Sequence, residues 1–145
     1  RGDRLMTGYW NQESATSETI KSGWLYTGDL AYQDEDGYIF LAGRAKDFIK
    51  RGGEMISPEE VEQVLRSHPQ VSDAAIIGTP DDEWGEEVVA VVVAATTAPS
   101  EDSLIEHCGE HLASYKKPKY VFFLDELPRN AMGKVLKREL RELYS

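Results

Sequence analysis

The sequence predicts an α+β fold in which a short hairpin and a mixed sheet are packed by three helices, preceded by a separate β-hairpin fragment. From residue 47 onward, the patterns follow one another as hairpin, helix, strand, strand, helix, strand and helix. The residue pattern changes near 44–47, and the residues before this point are predicted to be all-β. Apolar residues make up 41% of the 145 residues, which suffices for one buried core.

Two hairpins are predicted before the first clear helix. The runs at 30–32 and 38–41 are apolar or aromatic, and the segment between them ends in an Asp-Gly pair at 36–37, a strong turn signal. A smaller hairpin is predicted around the Gly-Gly pair at 52–53. Residues 1–22 are polar and show no clear period, so no element is predicted there.

The clearest helix is predicted to begin after Ser57 and to end before Pro69. Ser57 is a natural N-cap, Pro58 suits the first helical position, and Glu60 completes a capping box. The apolar residues within 61–65 follow at helical spacing, which predicts one buried face.

The rest of the chain alternates between strands and helices. The runs at 71–78 and 87–95 are predicted to be buried strands with a loop between them. A helix with a serine cap is predicted at 100–115, followed by a strand and then a turn within 120–128, and a last helix at 135–143. The inner stripe of the middle helix comprises Leu104, Ile105, Cys108 and Leu112.

Charge and composition exclude several classes of function. The net charge of −10 argues against non-specific nucleic-acid binding and against docking on anionic membranes, because both need a basic face. The longest apolar run, 88–95, is far shorter than the ~20 residues of a membrane-spanning helix. A single cysteine, Cys108, forms no internal disulfide and is typical of a reducing compartment, so a cytoplasmic location is expected. The lack of an initiator methionine favours a piece of a larger protein.

Two motifs suggest other chemistry and are set aside. A phosphate-binding loop ending in Gly133-Lys134 would need glycine at 128 and serine or threonine at 135, and the chain has proline and valine there. The run at 107–111 matches the His-x-x-Glu-His zinc pattern, but no third ligand is apparent and Gly109 weakens the helix. Two solvated histidines beside a core stripe are the preferred interpretation, and no metal site is expected.

Three stretches could carry chemistry: 27–29, 43–60 and the lysine before the last helix. The residues alone leave a structural alternative open for each. Asp29 could hold a vicinal diol such as a ribose, or close an ordinary Asx-type turn. Arg44 follows a strand, so its guanidinium could reach back towards Asp29. Gly52-Gly53 lets a ligand approach the backbone, or provides the positive φ of a turn. Lys134, predicted at the start of the last helix, forms an anion site with the helix amides or is a solvated lysine.

Three segments together resemble the C-terminal part of the adenylate-forming superfamily of acyl-CoA synthetases, peptide-synthetase adenylation domains and luciferase-like enzymes. They are GWLYTGDLAYQDEDGYIFLAGRAKDFIKRGGEMISPEEVE, DEWGEEVVAVVV and ELPRNAMGKVLKREL. The resemblance extends over residues 8–143 and is strongest to acyl-CoA and aryl-CoA ligases. It implies that residues 1–45 are the edge of a large N-terminal domain with the hinge, and that residues 46–145 are a mobile C-terminal domain.

The resemblance implies roles for individual residues on the nucleotide side. Asp29 would hold the ribose hydroxyls of ATP or AMP, and Arg44 would contact ribose or phosphate. Lys46 matches the hinge position. Lys134 matches the catalytic lysine, which contacts the carboxylate and the α-phosphate during adenylation. Met132 stands where the family usually has threonine.

On the coenzyme A side, the resemblance implies a glycine loop along the pantetheine path and a set of positions that contact the CoA nucleotide. These residues are Gly52, Gly53, Glu54, Trp84, Lys117, Pro118 and Lys119. A local basic patch is expected despite the acidic net charge. Its members are Lys116, Lys117, Lys119, Arg129 and Lys134.

The implied function is that of an ATP-dependent carboxylate–CoA ligase, with a fatty acid as the preferred substrate class. The implied partners are ATP or AMP, coenzyme A, a carboxylic acid and the missing N-terminal domain, which would hold most of the Mg²⁺ contacts. The chain is expected to be inactive by itself. The alternatives are an adenylation domain that loads a carrier protein and a non-catalytic α+β interaction module.

Overall fold

A computed structural model describes residues 2–144 and divides the chain into two compact units. The first unit is Arg1–Lys46 and the second is Asp47–Ser145. Across the described residues, every helix is too short or too polar to cross a bilayer.

The first unit contains one helix and two small antiparallel sheets. Its elements are α1 (Glu13–Thr19), β1 (Ile20–Lys21), β2 (Trp24–Leu25), β3 (Asp29–Gln33) and β4 (Ile39–Arg44). The expectation that this part is all-β is wrong, because α1 is a helix. None of the α1 residues is buried. A helix without a buried face has no apolar period in its sequence, which is why the pattern did not reveal it.

The predicted first hairpin is confirmed. β3 and β4 pair antiparallel, and the ring centroids of Tyr32 and Phe40, which face each other across the strands, are 5.1 Å apart. The carboxylate of Asp34 accepts hydrogen bonds from the N–H groups of Asp36 and Tyr38, which closes the turn. The first and last residues of this paired segment are Asp29 and Arg44, which therefore lie opposite each other.

The second unit is a mixed sheet with three α-helices, as predicted. The strands are β5 (Ile49–Arg51), β6 (Glu54–Ile56), β7 (Val71–Asp81), β8 (Gly85–Ala94) and β9 (Tyr120–Phe123). The helices are α2 (Pro58–Ser67), α3 (Glu101–His111) and α4 (Lys137–Tyr144), with a 3₁₀ turn at Ser114–Lys116. The strand order is β6-β5-β8-β7. β9 also pairs with β8, in the parallel direction that makes the sheet mixed.

The core lies on both faces of β8. Val88, Ala90 and Val92 are buried in a cluster that includes Leu65 of α2 and also Leu104 and Cys108 of α3. The alternate residues Val89 and Val91 are buried in a second cluster with Leu140 of α4. Because side chains alternate across a strand, a strand covered on both faces has a continuous apolar sequence.

Three local predictions need correction. The hydroxyl of Ser57 donates to Glu59 at 3.1 Å and does not cap α2, and Glu60 pairs with Lys116 at 2.7 Å. The segment predicted as a loop between the two long strands is mostly strand, because β7 and β8 pair as far as Asp81 and Gly85. α4 begins at Lys137, two residues later than predicted.

Candidate functional site

Asp29 and Arg44 form an ion pair at the mouth of the first hairpin. The Nε of Arg44 lies 3.1 Å from Oδ1 of Asp29, and both side chains are partly exposed. The N–H of Asp29 donates to the hydroxyl of Thr27 at 3.2 Å, and the N–H of Ala45 donates to the carbonyl of Gly28 at 2.9 Å. The expected proximity of Arg44 to Asp29 is therefore present, and Asp29 keeps one carboxylate oxygen outside that pair. Their contact with a nucleotide stays a prediction.

Lys46 is the last residue of the first unit and lies exposed in a turn. A change of backbone direction in a turn disturbs no strand or helix hydrogen bonds, so this position suits a hinge. The hinge role itself stays a prediction.

A cavity of about 240 Å³ lies beside the Gly-Gly turn between β5 and β6. It is lined by Arg51, Gly52, Glu54, Trp84, Ser114 and Tyr115. Gly52 has a φ of +58° and its N–H donates to the carbonyl of Trp84 at 2.8 Å. A Cβ at Gly52 would lie only 2.9 Å from the Trp84 ring, so glycine is required there. A Cβ at Gly53 would meet nothing within 4 Å.

Arg51 joins this cavity to a buried carboxylate. Its guanidinium carbon lies 5.6 Å from the centroid of the Trp84 ring, in range of a cation–π contact. One terminal nitrogen donates to the carbonyl of Tyr115 at 3.0 Å, and the other donates to Glu87 at 3.3 Å. The Nε of Arg51 and Oε2 of Glu87 are 2.8 Å apart as an ion pair, although they lack hydrogen-bond geometry. Glu87 is only 2% exposed, so its charge depends on these partners.

Lys119 is the second cation of the same network. Its ammonium lies 3.2 Å from Asp81 and 3.3 Å from Glu87. The hydrogen bond from the Trp84 N–H is the main cause that lowers the pKa of Asp81, and the hydrogen bond to Asp81 is the main cause that raises the pKa of Lys119. The same carboxylate of Asp81 thus fixes both Trp84, at 2.9 Å, and Lys119.

Lys117 and Pro118 are not among the residues that line this cavity. The Lys117 chain lies against Gly109 of α3, where its Cδ would be 3.2 Å from an added Cβ. Pro118 is buried. Coenzyme A contacts for these two residues stay predictions.

Lys134 lies in a tight turn whose backbone is held by Asn130. The N–H of Lys134 donates to the side-chain oxygen of Asn130 at 2.9 Å, and the carbonyl of Lys134 accepts the Asn130 N–H at 2.9 Å. Gly133, at a φ of +81°, donates its N–H to the Asn130 carbonyl at 2.9 Å. Within residues 2–144 the Lys134 ammonium has no hydrogen-bond or ion-pair partner, and the side chain is exposed. The backbone is therefore fixed, and the charge is available.

Arg129 anchors this turn to the sheet. Its guanidinium pairs with Asp73 of β7 and donates to the carbonyl of Gly133, and Arg129 forms a β-bridge with Val135. Lys134 was predicted at the start of the last helix, but it precedes α4 by two intervening residues. The turn, not the helix amides, positions this lysine.

The predicted basic patch is largely neutralised in the structure. Lys116 pairs with Glu60, Lys119 with Asp81 and Glu87, and Arg129 with Asp73. Among the described residues, Lys117 and Lys134 are the members of the set without an ion-pair partner. Lys117 is half-buried, whereas Lys134 is exposed and its backbone is held by Asn130.

Sequence reasoning missed four residues that build these sites. Arg51, Asp81 and Glu87 hold Trp84 and Lys119, and Asn130 holds Lys134. Glu87 was the one sequence signal for this network, because it adjoins a continuous apolar strand. A charged residue at such a place is buried only when it is paired, so a cationic partner could have been expected.

The fold is that of the small C-terminal domain of adenylate-forming enzymes. The family profile described as AMP-binding enzyme C-terminal domain matches residues 60–134, and the chain belongs to this family.

Curated and solved relatives share this domain at high identity. A 2-succinylbenzoate–CoA ligase of Bacillus cereus is 49% identical over 143 residues, which cover 99% of this chain and 30% of the relative. The solved o-succinylbenzoate CoA synthetase of Bacillus subtilis, in complex with its acyl-adenylate intermediate, is 44% identical with a TM-score of 0.88, over 94% of this chain and 28% of that one. A fatty acyl CoA synthetase of Mycobacterium tuberculosis is 46% identical with a TM-score of 0.72, over 97% and 28%. The chain thus spans about a third of the length of these relatives.

Proposed function

We propose that this chain is the C-terminal part of an ATP-dependent carboxylate–CoA ligase. The enzyme would join a carboxylate to ATP, releasing pyrophosphate and forming an acyl-AMP, and would then transfer the acyl group to the thiol of coenzyme A. The observation that carries the proposal is the unpaired ammonium of Lys134 on a backbone that Asn130 holds at both its N–H and its carbonyl. Membership of the family and the names of the relatives support it.

Lys134 is proposed to be the catalytic lysine of adenylation. In that step a carboxylate approaches a phosphate, and two anions repel each other. An ammonium on a fixed turn offsets this repulsion and stabilises the charge that develops in the transition state, without reorganisation of the backbone. Asp29 and Arg44 are proposed to contact the ribose and phosphate of the nucleotide. Mg²⁺ is proposed to be held mainly by residues outside this chain.

The Gly52–Trp84 cavity is proposed to serve coenzyme A. Gly53 leaves open space beside the turn, which suits passage of a narrow pantetheine chain. Trp84 is partly exposed and offers a flat ring, with the Arg51 cation 5.6 Å from its centroid. Such a surface can stack on a nucleotide base and attract its phosphates. Glu54, Lys117, Pro118 and Lys119 are proposed as further coenzyme A contacts.

Lys46 is proposed to be the hinge at which the C-terminal domain changes pose between the two half-reactions. Adenylation needs Lys134 at the reacting atoms, and thioester formation needs the Gly52–Gly53 loop there instead. A single domain can supply both surfaces only by moving between them.

The acid is proposed to be an aryl carboxylate of the 2-succinylbenzoate type. The curated relatives that match at 48–49% identity carry this activity in their names. A fatty acid, the class preferred on sequence alone, remains the second candidate because the Mycobacterium tuberculosis fatty acyl CoA synthetase is 46% identical.

The test is an assay of the whole enzyme with ATP, coenzyme A and a panel of acids that includes o-succinylbenzoate, benzoate and fatty acids of several lengths. AMP release that depends on both the acid and coenzyme A is expected, with the highest kcat/KM for the aryl acid. Pyrophosphate release without transfer to coenzyme A would contradict the ligase proposal. A preference for fatty acids would contradict only the choice of acid.

A further inference from the structure

All three histidines of the chain lie together on one side of the second unit. The ring centroid of His107 is 5.2 Å from that of His68 and 4.7 Å from that of His111. His107, Glu110 and His111 occupy positions i, i+3 and i+4 of α3, so they share a helix face. The proposed ligase chemistry uses none of these side chains.

The hydrogen bonds of His107 and His111 fix where each neutral ring carries its proton. The Nε2 of His107 lies 3.0 Å from the carbonyl of Val64, and the Nδ1 of His111 lies 2.9 Å from the carbonyl of His107. A carbonyl oxygen only accepts, so each of these nitrogens donates. Nδ1 of His107 and Nε2 of His111 therefore keep their lone pairs. Histidines that bind metals typically have this arrangement, in which the second nitrogen is held by a carbonyl or carboxylate.

We propose that His107, Glu110 and His111 bind a divalent transition-metal ion of the zinc class. One ligand atom of each residue lies within 4.8 Å of the others. Ligand atoms about 2.1 Å from a tetrahedral Zn²⁺ lie about 3.4 Å apart. Modest side-chain rotations would therefore bring the three ligand atoms to the distances that Zn²⁺ requires. Glu110 and His111 are exposed, and among the described residues no hydrogen bond or ion pair holds the Glu110 carboxylate. Two imidazoles and a carboxylate suit Zn²⁺, Ni²⁺ or Cu²⁺ better than the all-oxygen preference of Mg²⁺ or Ca²⁺.

His68 borders the site but is not one of its ligands. Its Nδ1 accepts the N–H of Gln70 at 3.3 Å, so the proton of the neutral ring is on Nε2. This site differs from the sequence-based expectation of two solvated histidines. The structure adds the backbone carbonyls that orient the rings, which the sequence pattern does not display.

The test is calorimetric titration of the protein with Zn²⁺, in wild type and in His107→Ala, His111→Ala and Glu110→Gln variants. Wild type is expected to bind one Zn²⁺. Each histidine variant should lower the affinity for Zn²⁺ by about tenfold or more, since loss of a residue that only orients a ligand already costs 10- to 100-fold. Glu106→Gln is the matched control, because it removes the same charge from an exposed residue of the same helix. It should leave Zn²⁺ binding unchanged.

Two further outcomes decide the proposal. His68→Gln should retain binding within a few-fold, because His68 supplies no ligand. Equal affinities in wild type and both α3 histidine variants would overturn the site, as would the absence of any Zn²⁺ binding by wild type. Thermal unfolding of each variant without metal checks that the fold is intact. Neither the binding measurement nor the unfolding measurement depends on ligase activity.

Discussion

Asn130 holds Lys134 from both sides of its backbone: the Asn130 side-chain oxygen accepts the Lys134 N–H, and the Asn130 N–H donates to the Lys134 carbonyl, each at 2.9 Å. The same oxygen accepts the N–H of Met132 at 3.0 Å. The position of the lysine is thus set by an asparagine four residues earlier, and the side chain of Met132, which is 92% exposed, has no part in it. The hydrogen bonds of the turn are thus complete with methionine at position 132.

Replacement of Lys134 tests the proposed chemistry directly. In the whole enzyme, Lys134→Ala should slow acyl-AMP formation by about 10² or more, roughly 3 kcal/mol, the usual loss for one preorganised charge donor. Thioester formation from supplied acyl-AMP should stay within a few-fold of wild type. Lys134→Arg should restore little of the rate of acyl-AMP formation, because a planar guanidinium does not replace a compact ammonium. Equal losses in both half-reactions would assign the lysine to structure.

Replacement of Asn130 tests the positioning of that lysine. Asn130→Ala removes the acceptor of two N–H groups and should lower the kcat of adenylation by about tenfold, with the KM for ATP little changed. Asn130→Asp keeps an acceptor oxygen and should recover most of the rate. The amide of Lys134 should also exchange with solvent faster in the alanine variant. If Asn130→Ala adenylates at the wild-type rate while Lys134→Ala is slow, the positioning role of Asn130 is rejected and the catalytic role of Lys134 stands.

The hinge proposal predicts a selective effect of proline at position 46. Lys46→Pro fixes φ near −65° and restricts the rotation of the backbone at this turn. One half-reaction of the whole enzyme is expected to survive and the other to fall, because each needs a different pose. Lys46→Ala, which keeps the backbone free, is the control and should support both. A parallel fall of both rates in the proline variant would show that the residue is structural.

Trp84 provides a test of the coenzyme A cavity. Trp84→Ala removes the ring that covers Gly52 and should raise the KM for coenzyme A by about tenfold, consistent with the loss of one stacked base. The rate of acyl-AMP formation should not change. Trp10→Ala, at a tryptophan that is 89% exposed in the first unit, is the matched control. A normal KM for coenzyme A in Trp84→Ala would exclude this cavity as the binding site.

Cys108 makes stability depend on pH in the alkaline range. Burial raises the pKa of its thiol from about 9 to about 11. Between these values the unfolded chain loses the proton while the folded chain keeps it, so the unfolded state is favoured as pH rises. The contribution of the thiol to the free energy of unfolding is fully present below pH 9 and is lost towards pH 11, at up to about 1.4 kcal/mol per pH unit.

Denaturant unfolding at several pH values between 8 and 11 measures this effect. The free energy of unfolding of wild type should fall more steeply than that of Cys108→Ala, whose other titrating groups are the same. The alanine variant should be less stable at every pH because it leaves a cavity in the core. Identical slopes would mean that the thiol ionises equally in both states.

Most secondary structure of the second unit could be predicted because its signals are local. The Gly-Gly turn, the Ser57-Pro58 start of α2 and the continuous apolar run of β8 each depend on residues close in sequence. α1 was missed because it buries no side chain, and strand lengths at 79–87 were underestimated because charged residues there are paired across the sheet.

The sequence by itself determined the fold class and the family resemblance, and it singled out Lys134, Trp84 and Gly52, since these depend on turn chemistry, apolar period and motif order. Only the tertiary structure decided which charges are free. Residues 73 and 129 are far apart in the chain, and their ion pair exists because β7 lies beside the lysine turn. Long-range pairing of this kind leaves no local pattern, so the sequence predicted a basic patch where folding leaves the Lys134 ammonium unpaired on a fixed turn.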